Sequence, residues 1–207
     1  MSENDWFTGV ALAISAVLII GILVGLGLGG IVVGAPEAPS AAPSSEQPVY
    51  LYFTVTTSAA TQYDTYYPAN VTIPHGQPIV ITITCYDNGV NNVTTPYADV
   101  IGTLGGVANY TNGLGNSTDM VASWPPALIS HTFTVVLPGE AGNLETESGS
   151  PLINVPVPVS PDGIHPATVT FSVEFDHSAY LQWRCFAPCD PYSMATPGFM
   201  IGSITVT

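Results

Sequence analysis

From Val49 onward the chain alternates between apolar and polar positions. In the run from Thr168 to Phe175, Val169, Phe171, Val173 and Phe175 are apolar while Thr, Ser and Glu stand between them. One face of an extended segment is thereby buried and the other wetted. The same period of two, enriched in Val, Ile, Thr, Phe and Tyr and bounded by Pro, Gly or Asn, marks Val49 to Thr57, Ile79 to Cys85, His131 to Leu137, Ala179 to Cys185 and Met200 to Val206. No amphipathic helix of comparable length interrupts them. The stretch from Val49 to Thr207 is therefore predicted to be a single all-β sandwich, long enough to bury a core. Two segments lack the pattern, Asp87 to Pro126 with its Asn, Gly and Thr clusters and Pro138 to Pro151. Both are predicted to be irregular insertions, of the kind that carries function or glycans.

Before Val49 the pattern is different. The run from Phe7 to Gly34 contains no charged residue, and as a helix it would measure roughly 40 Å, enough to cross a bilayer with tilt. A cleaved signal peptide would need a basic leading region and a shorter apolar stretch. A single uncleaved transmembrane helix over residues 1–34 is expected. Gly21, Gly25 and Gly29 fall on one stripe of it, where a partner helix can approach closely. Residues 35–48 read APEAPSAAPSSEQP, a composition that cannot form a core and runs as a semi-rigid tether.

Charge narrows the partners. Fifteen acidic residues face one basic residue, Arg184, for a net charge of −14, so nucleic acid and anionic lipid surfaces are repelled at neutral pH. Orientation in the membrane cannot be read from Lys and Arg, but four Asn-x-Ser/Thr sequons at Asn70, Asn92, Asn109 and Asn116 favour a glycosylated domain outside the cell. Charged residues make up only 8% of the chain, against about a quarter in ordinary domains. A surface of Thr, Ser, Asn, Tyr and Gly stays hydrated when carboxylates are protonated, which suits an acidic medium.

The candidate chemistry is concentrated in Trp183 to Met200, which holds Cys185, Cys189, Met194, Met200 and Arg184. Two cysteines four apart outside the cell can close a disulfide and leave Cys85 over. With a histidine brought beside them, thiolates and a thioether instead suit copper. His131 opens an earlier strand segment, whereas His75, His165 and His177 lie in turn sequences. No Ser/His/Asp grouping, phosphate loop or informative carboxylate pair supports an enzyme acting alone, and the chain is expected to be at most a non-catalytic subunit of a larger complex.

The domain resembles the cupredoxin domain of subunit II of haem-copper terminal oxidases, the family that carries the binuclear CuA centre. The resemblance rests on Tyr66-Tyr-Pro-Ala-Asn-Val-Thr-Ile-Pro-His-Gly-Gln-Pro-Ile-Val-Ile-Thr-Ile-Thr84, on Ile129-Ser-His-Thr-Phe-Thr-Val135, on Cys185-x3-Cys189 and on Met200-Ile-Gly-Ser-Ile-Thr-Val206. An anchor followed by a tether is also how such subunits are built. The resemblance implies a Greek-key cupredoxin-like β-sandwich, with His131, Cys185, Cys189 and Met200 as copper ligands. It departs from the family at Ser193, where the second histidine ligand would stand. Members that oxidise a membrane quinol have lost CuA ligands and keep the domain as a cap over the catalytic subunit. The function implied is thus a subunit II-like cap or electron-entry component, with haem confined to integral membrane partner subunits that dock on the Gly21, Gly25 and Gly29 face. Two other readings stay open: a membrane-tethered blue-copper carrier resembling those of acid-loving archaea, and a glycosylated surface or filament protein.

Overall fold

The alternating segments become strands of two sheets in the computed structural model, which describes residues 47–57, 62–112, 117–137 and 151–207. The expected anchor with its glycine stripe, nearly all of the tether, Asn116 and most of the second insertion lie outside the described residues. Among the described residues no helix is long and apolar enough to cross a membrane.

The strands are β1 (Val49–Thr57), β2 (Asp64–Tyr67), β3 (Asn70–Ile73), β4 (Ile79–Cys85), β5 (Ala108–Thr111), β6 (Ser117–Val121), β7 (Ile129–Val136), β8 (Ile153–Pro158), β9 (Ala167–Val173), β10 (Ala179–Arg184) and β11 (Ile201–Val206). One sheet runs in the order β2-β1-β4-β9-β5-β6 and the other β3-β11-β10-β7-β8. Most pairs are antiparallel, but β1 lies parallel to β4 and β3 parallel to β11, because the chain crosses to the other sheet between β2 and β3 and returns for β4. The all-β sandwich expected from the periodicity is the fold, and the alternating segments end within a few residues of the observed strands.

The expectation for Asp87 to Pro126 needs correction. That segment is not wholly irregular: it supplies β5 and β6, which extend the first sheet beyond β9. β8 was also invisible to periodicity. Its sequence, INVPVP, carries two prolines that cannot donate to a ladder, and it occupies a sheet edge, where that loss is tolerated. The loop before β5 covers that edge through paired Ile101–Asn154 backbone bonds of 2.8 and 3.0 Å.

The two inner faces meet over Phe53, Tyr66, Phe133 and Trp183, each essentially inaccessible. Tyr66 and Trp183 have ring centroids 4.9 Å apart and Phe53 and Phe133 5.0 Å, spacings at which aromatic pairs add to plain area burial. Trp183 Nε1 donates to Ala69 O at 2.9 Å, tying β10 to the turn before β3. Gly202 is required at this crossing, because a Cβ there would collide with Ala69 O and the Trp183 ring. This aromatic floor lies directly beneath His131, whose ring centroid is 6.3 Å from that of Tyr66.

Candidate metal centre

Three separate parts of the chain converge above the aromatic floor. β7 brings His131, the loop leaving β10 brings Cys185 and Cys189, and the end of β4 brings Asp87. His131 and Cys185 are fully buried, and Cys189 is partly exposed. Nδ1 of His131 lies 3.1 Å from Cys189 Sγ and 3.8 Å from Cys185 Sγ. The two sulfurs are 3.3 Å apart, well beyond the roughly 2.05 Å of a disulfide bond, and both are free thiols here. One nitrogen and two sulfur donors therefore lie within 4.8 Å of one another.

The loop is held open in this shape by its own backbone. Cys185 N donates to Met200 O at 3.0 Å, which clamps the two ends of the loop together. Phe186 N donates to Thr132 Oγ1 at 2.7 Å, and Thr132 N approaches Cys185 Sγ at 3.4 Å. Inside the loop Asp190 caps a single helical turn, α1 (Pro191–Ala195), by accepting from Tyr192 N at 3.0 Å and Ser193 N at 2.9 Å. Arg184 is buried, donates to Met194 O at 3.3 Å and sits over the Phe186 ring, which stacks on Tyr97. The one strong cation of the chain is thus used to fix the loop.

On the other side of the imidazole, His131 Nε2 lies 2.8 Å from Asp87 Oδ2, an ion-pair contact that is not aligned as a linear hydrogen bond. Asp87 Oδ2 also accepts from Ser130 Oγ at 2.7 Å, and Oδ1 accepts from Gly89 N at 2.9 Å. Asp64, whose Oδ1 accepts from Thr57 Oγ1 at 2.8 Å, brings a second carboxylate to within 4.8 Å of the Asp87 and His131 donor atoms.

The charges follow from these contacts. Burial would lower the His131 pKa, but Asp87 and then Cys185 outweigh it and push it up to about 10. Burial would raise Asp87, yet the His131, Gly89 and Ser130 contacts hold it down at about 2. Cys185 is buried and still lies well below the usual thiol range, because Cys189 and His131 stabilise its thiolate. Cys189 is pushed up by that neighbouring thiolate and by burial. In this centre the imidazole is held toward its protonated form between the Asp87 carboxylate and Cys185, while Cys185 is held toward its thiolate and Cys189 toward its thiol. A thiophilic cation would displace those protons.

Of the four expected copper ligands, the structure brings His131, Cys185 and Cys189 together. Met200 is fully buried at the loop end, and its carbonyl accepts from Cys185 N. Ser193 is buried as well, with an Oγ that has no hydrogen-bond partner. His75, His165 and His177 are all exposed, and none shares a donor cluster with the cysteines among the described residues. Cys85 is buried, with burial pushing its thiol up to about 12. Asp64, Asp87, Ser130 and Thr132 were not foreseen. Ser130 is a direct neighbour of His131 in sequence, but Asp64 and Asp87 reach the ring only through the fold.

No protein-family model matches the chain, and no curated protein matches it. Solved structures do. A rusticyanin variant is 14% identical, covering 79% of each chain with a TM-score of 0.45. Auracyanin A, a "blue" copper protein from Chloroflexus aurantiacus, is 12% identical over 78% of this chain and 100% of that one, with a TM-score of 0.40. Rusticyanin from Thiobacillus ferrooxidans is 11% identical over 76% and 77%, with a TM-score of 0.42. Likenesses this distant do not speak for the site of the present chain.

Proposed function

We propose that the β-sandwich is a copper-binding, cupredoxin-type electron-transfer domain, and that the chain is a membrane-anchored, subunit II-like component of a haem-copper oxidase of the quinol type. In this reading it caps the catalytic subunit or admits electrons to it, and its own CuA-like centre is incomplete. The observation that carries copper is the meeting of His131, Cys185 and Cys189, with both sulfurs within 3.8 Å of one imidazole nitrogen. Soft sulfur with imidazole selects copper over hard cations, so the donor set fits the metal. Bound there, copper supplies a one-electron redox couple. The chain supplies the donors, the aromatic floor that excludes water, and the clamp of the loop on Thr132 and Met200.

Incompleteness is supported by Ser193, which offers a hydroxyl where the resembling family offers imidazole, and by the exposed positions of the other three histidines. The oxidase role rests on the expected anchor and tether and on that incomplete ligand set, with haem in the partner subunits. Three sequon asparagines, Asn70, Asn92 and Asn109, are exposed, which supports a domain facing the outside of the cell.

The test is metal analysis with absorption and paramagnetic resonance spectra on the full chain, reduced and then given copper. Copper uptake that depends on Cys185 is expected, without the stable paired-copper signal of a CuA centre. Ser193→His should bring that signal out. Co-purifying haem supports the oxidase role, and a blue colour without haem supports the tethered carrier. A chain that takes up no copper after complete thiol reduction defeats the copper reading.

A further inference from the structure

We propose that Asp87 is the positioning residue of this centre: it holds the buried His131 ring with Nδ1 turned toward the two sulfurs and places a negative charge behind the imidazole. The proposal rests on the copper reading above and adds to it a role for a residue outside the expected ligand set.

Three observations carry it. The first is orientation. His131 has only two ring nitrogens, and with Nε2 2.8 Å from Asp87 Oδ2 the other is directed at Cys189 and Cys185. A ring flip would put carbon atoms against both the carboxylate and the sulfurs. The second is that Asp87 is itself immobilised from four directions. Its carboxylate accepts from Ser130 Oγ and Gly89 N, and its backbone carbonyl accepts from Ser160 N at 2.7 Å and faces the Cys85 thiol at 3.7 Å. A carboxylate so fixed can fix a ring in turn, as outer partners of ligating histidines do. The third is position in the fold. Asp87 follows the end of β4 in one sheet, whereas Ser130 and His131 open β7 in the other. The contact therefore sets the imidazole against the first sheet as well as against its own strand.

Asp64 separates position from charge. Its carboxylate belongs to the same cluster but is spent on Thr57 Oγ1, so it adds negative charge near the ring without holding Nε2. Both carboxylates favour the more highly charged oxidised metal, and only Asp87 orients the ligand.

The experiment compares Asp87→Asn, Asp87→Glu, Ser130→Ala and Asp64→Asn in the full chain. Asp87→Asn should weaken copper retention against a chelator by about 10- to 100-fold. It should also lower the ratio of cupric to cuprous affinity about tenfold, which raises the potential of a one-electron couple by about 59 mV. In the chain without added metal, proton resonance should show a sheltered, slowly exchanging His131 Nε2–H that is lost to exchange in Asp87→Asn. Asp87→Glu should recover part of each effect, and Ser130→Ala should show a weaker form of each. Asp64→Asn should raise the potential while leaving retention and the Nε2–H signal near those of the unaltered chain. Unchanged retention, potential and Nε2–H in Asp87→Asn would overturn the proposal. So would equal loss of retention in Asp64→Asn, which would make the effect one of charge alone. If Asp87→Asn does not fold, Ser130→Ala and Asp87→Glu decide, and an unperturbed Nε2–H in both overturns it. The Nε2–H signal is read without metal, so it still tests Asp87 in a chain that binds no copper.

Discussion

Two threonine pairs of equal length lie on opposite sides of the sandwich. Thr82 and Thr170 join β4 to β9 on the outer face of the first sheet, with hydroxyls 3.0 Å apart and half in water. Thr134 and Thr132 lie on β7 in the second sheet, also 3.0 Å apart, and are completely buried. β4 and β9 alternate buried and half-buried residues along their length, whereas every residue of β7 and β8 is buried. The first sheet thus has the ordinary wet back of an antiparallel sheet. The second has its back covered by the 91–104 segment and the cysteine loop. Hydrogen bonds there cannot be exchanged for water, so the same chemistry acquires much larger consequences. The cysteine loop of the candidate centre is fixed against this covered face, where Thr132 Oγ1 accepts from Phe186 N, while His131 turns inward over the aromatic floor.

The sharpest way to break this contrast is Asn154. Its Nδ2 approaches the carbonyls of Pro96, Tyr97 and Asp99 at 3.4, 3.1 and 2.7 Å, and its Oδ1 accepts from Thr134 Oγ1 at 2.7 Å. Asn154→Leu keeps the branched heavy-atom shape and removes every one of these bonds. A loss of about 3 kcal/mol in urea unfolding is expected, since each buried group left unpaired costs about 1–3 kcal/mol. A loss under about 1 kcal/mol would mean that water reaches the covered face and that the contrast is false.

The threonines themselves sharpen it. Thr132→Val strands Phe186 N, since Thr134 Oγ1 keeps Asn154 Oδ1 as its acceptor, and should cost about 1–3 kcal/mol while speeding copper release from the loosened loop. Thr82→Val on the wet face should stay within about 0.5 kcal/mol. Equal midpoints for the two variants in the same urea titration would erase the difference between the faces.

The same contrast explains what could be read from the sequence. Strands with one wet face announce themselves, because alternation is the direct image of half burial, and β1, β4, β9, β10 and β11 were legible within a few residues. β7, buried on both faces, still alternates through Thr132 and Thr134 and was legible as well, but β8, equally buried, has no such image. In β8 the prolines argued against a strand, and only its place at an edge beneath a covering loop reconciles Pro156 and Pro158 with the ladder. β5 and β6 were hidden by the Asn, Gly and Thr content of their turns. In the centre, His131, Cys185 and Cys189 were legible as residue types that hold soft metals. Asp87 and Asp64 were not, since an aspartate just past a strand looks like any turn aspartate until the fold brings it to a ring far away in sequence.

The smallest expected effect belongs to the wet side, at the turn between β8 and β9. Asp162 there accepts from Ile164 N at 2.9 Å and His165 N at 2.7 Å, and its other oxygen meets His165 Nδ1 at 2.7 Å. The backbone N–H of His165, then its ring, then Ile164 N hold the carboxyl at about 2, below the ordinary 3.8, although it is fully exposed. A carboxylate whose pKa is depressed on folding adds stability that is complete above its unfolded value and is lost as pH falls through the folded one. The contribution of this turn should therefore fade between about pH 4 and pH 2, and Asp162→Asn should flatten the acid limb of the stability curve only slightly in that window, because solvent screens an exposed cluster. A carboxyl carbon titration by nuclear magnetic resonance should place the Asp162 midpoint near 2. A midpoint near 3.8 would show that the turn is not organised in solution, and would remove it from the exposed polar contacts of defined shape, such as Thr82–Thr170, that are set against the covered face.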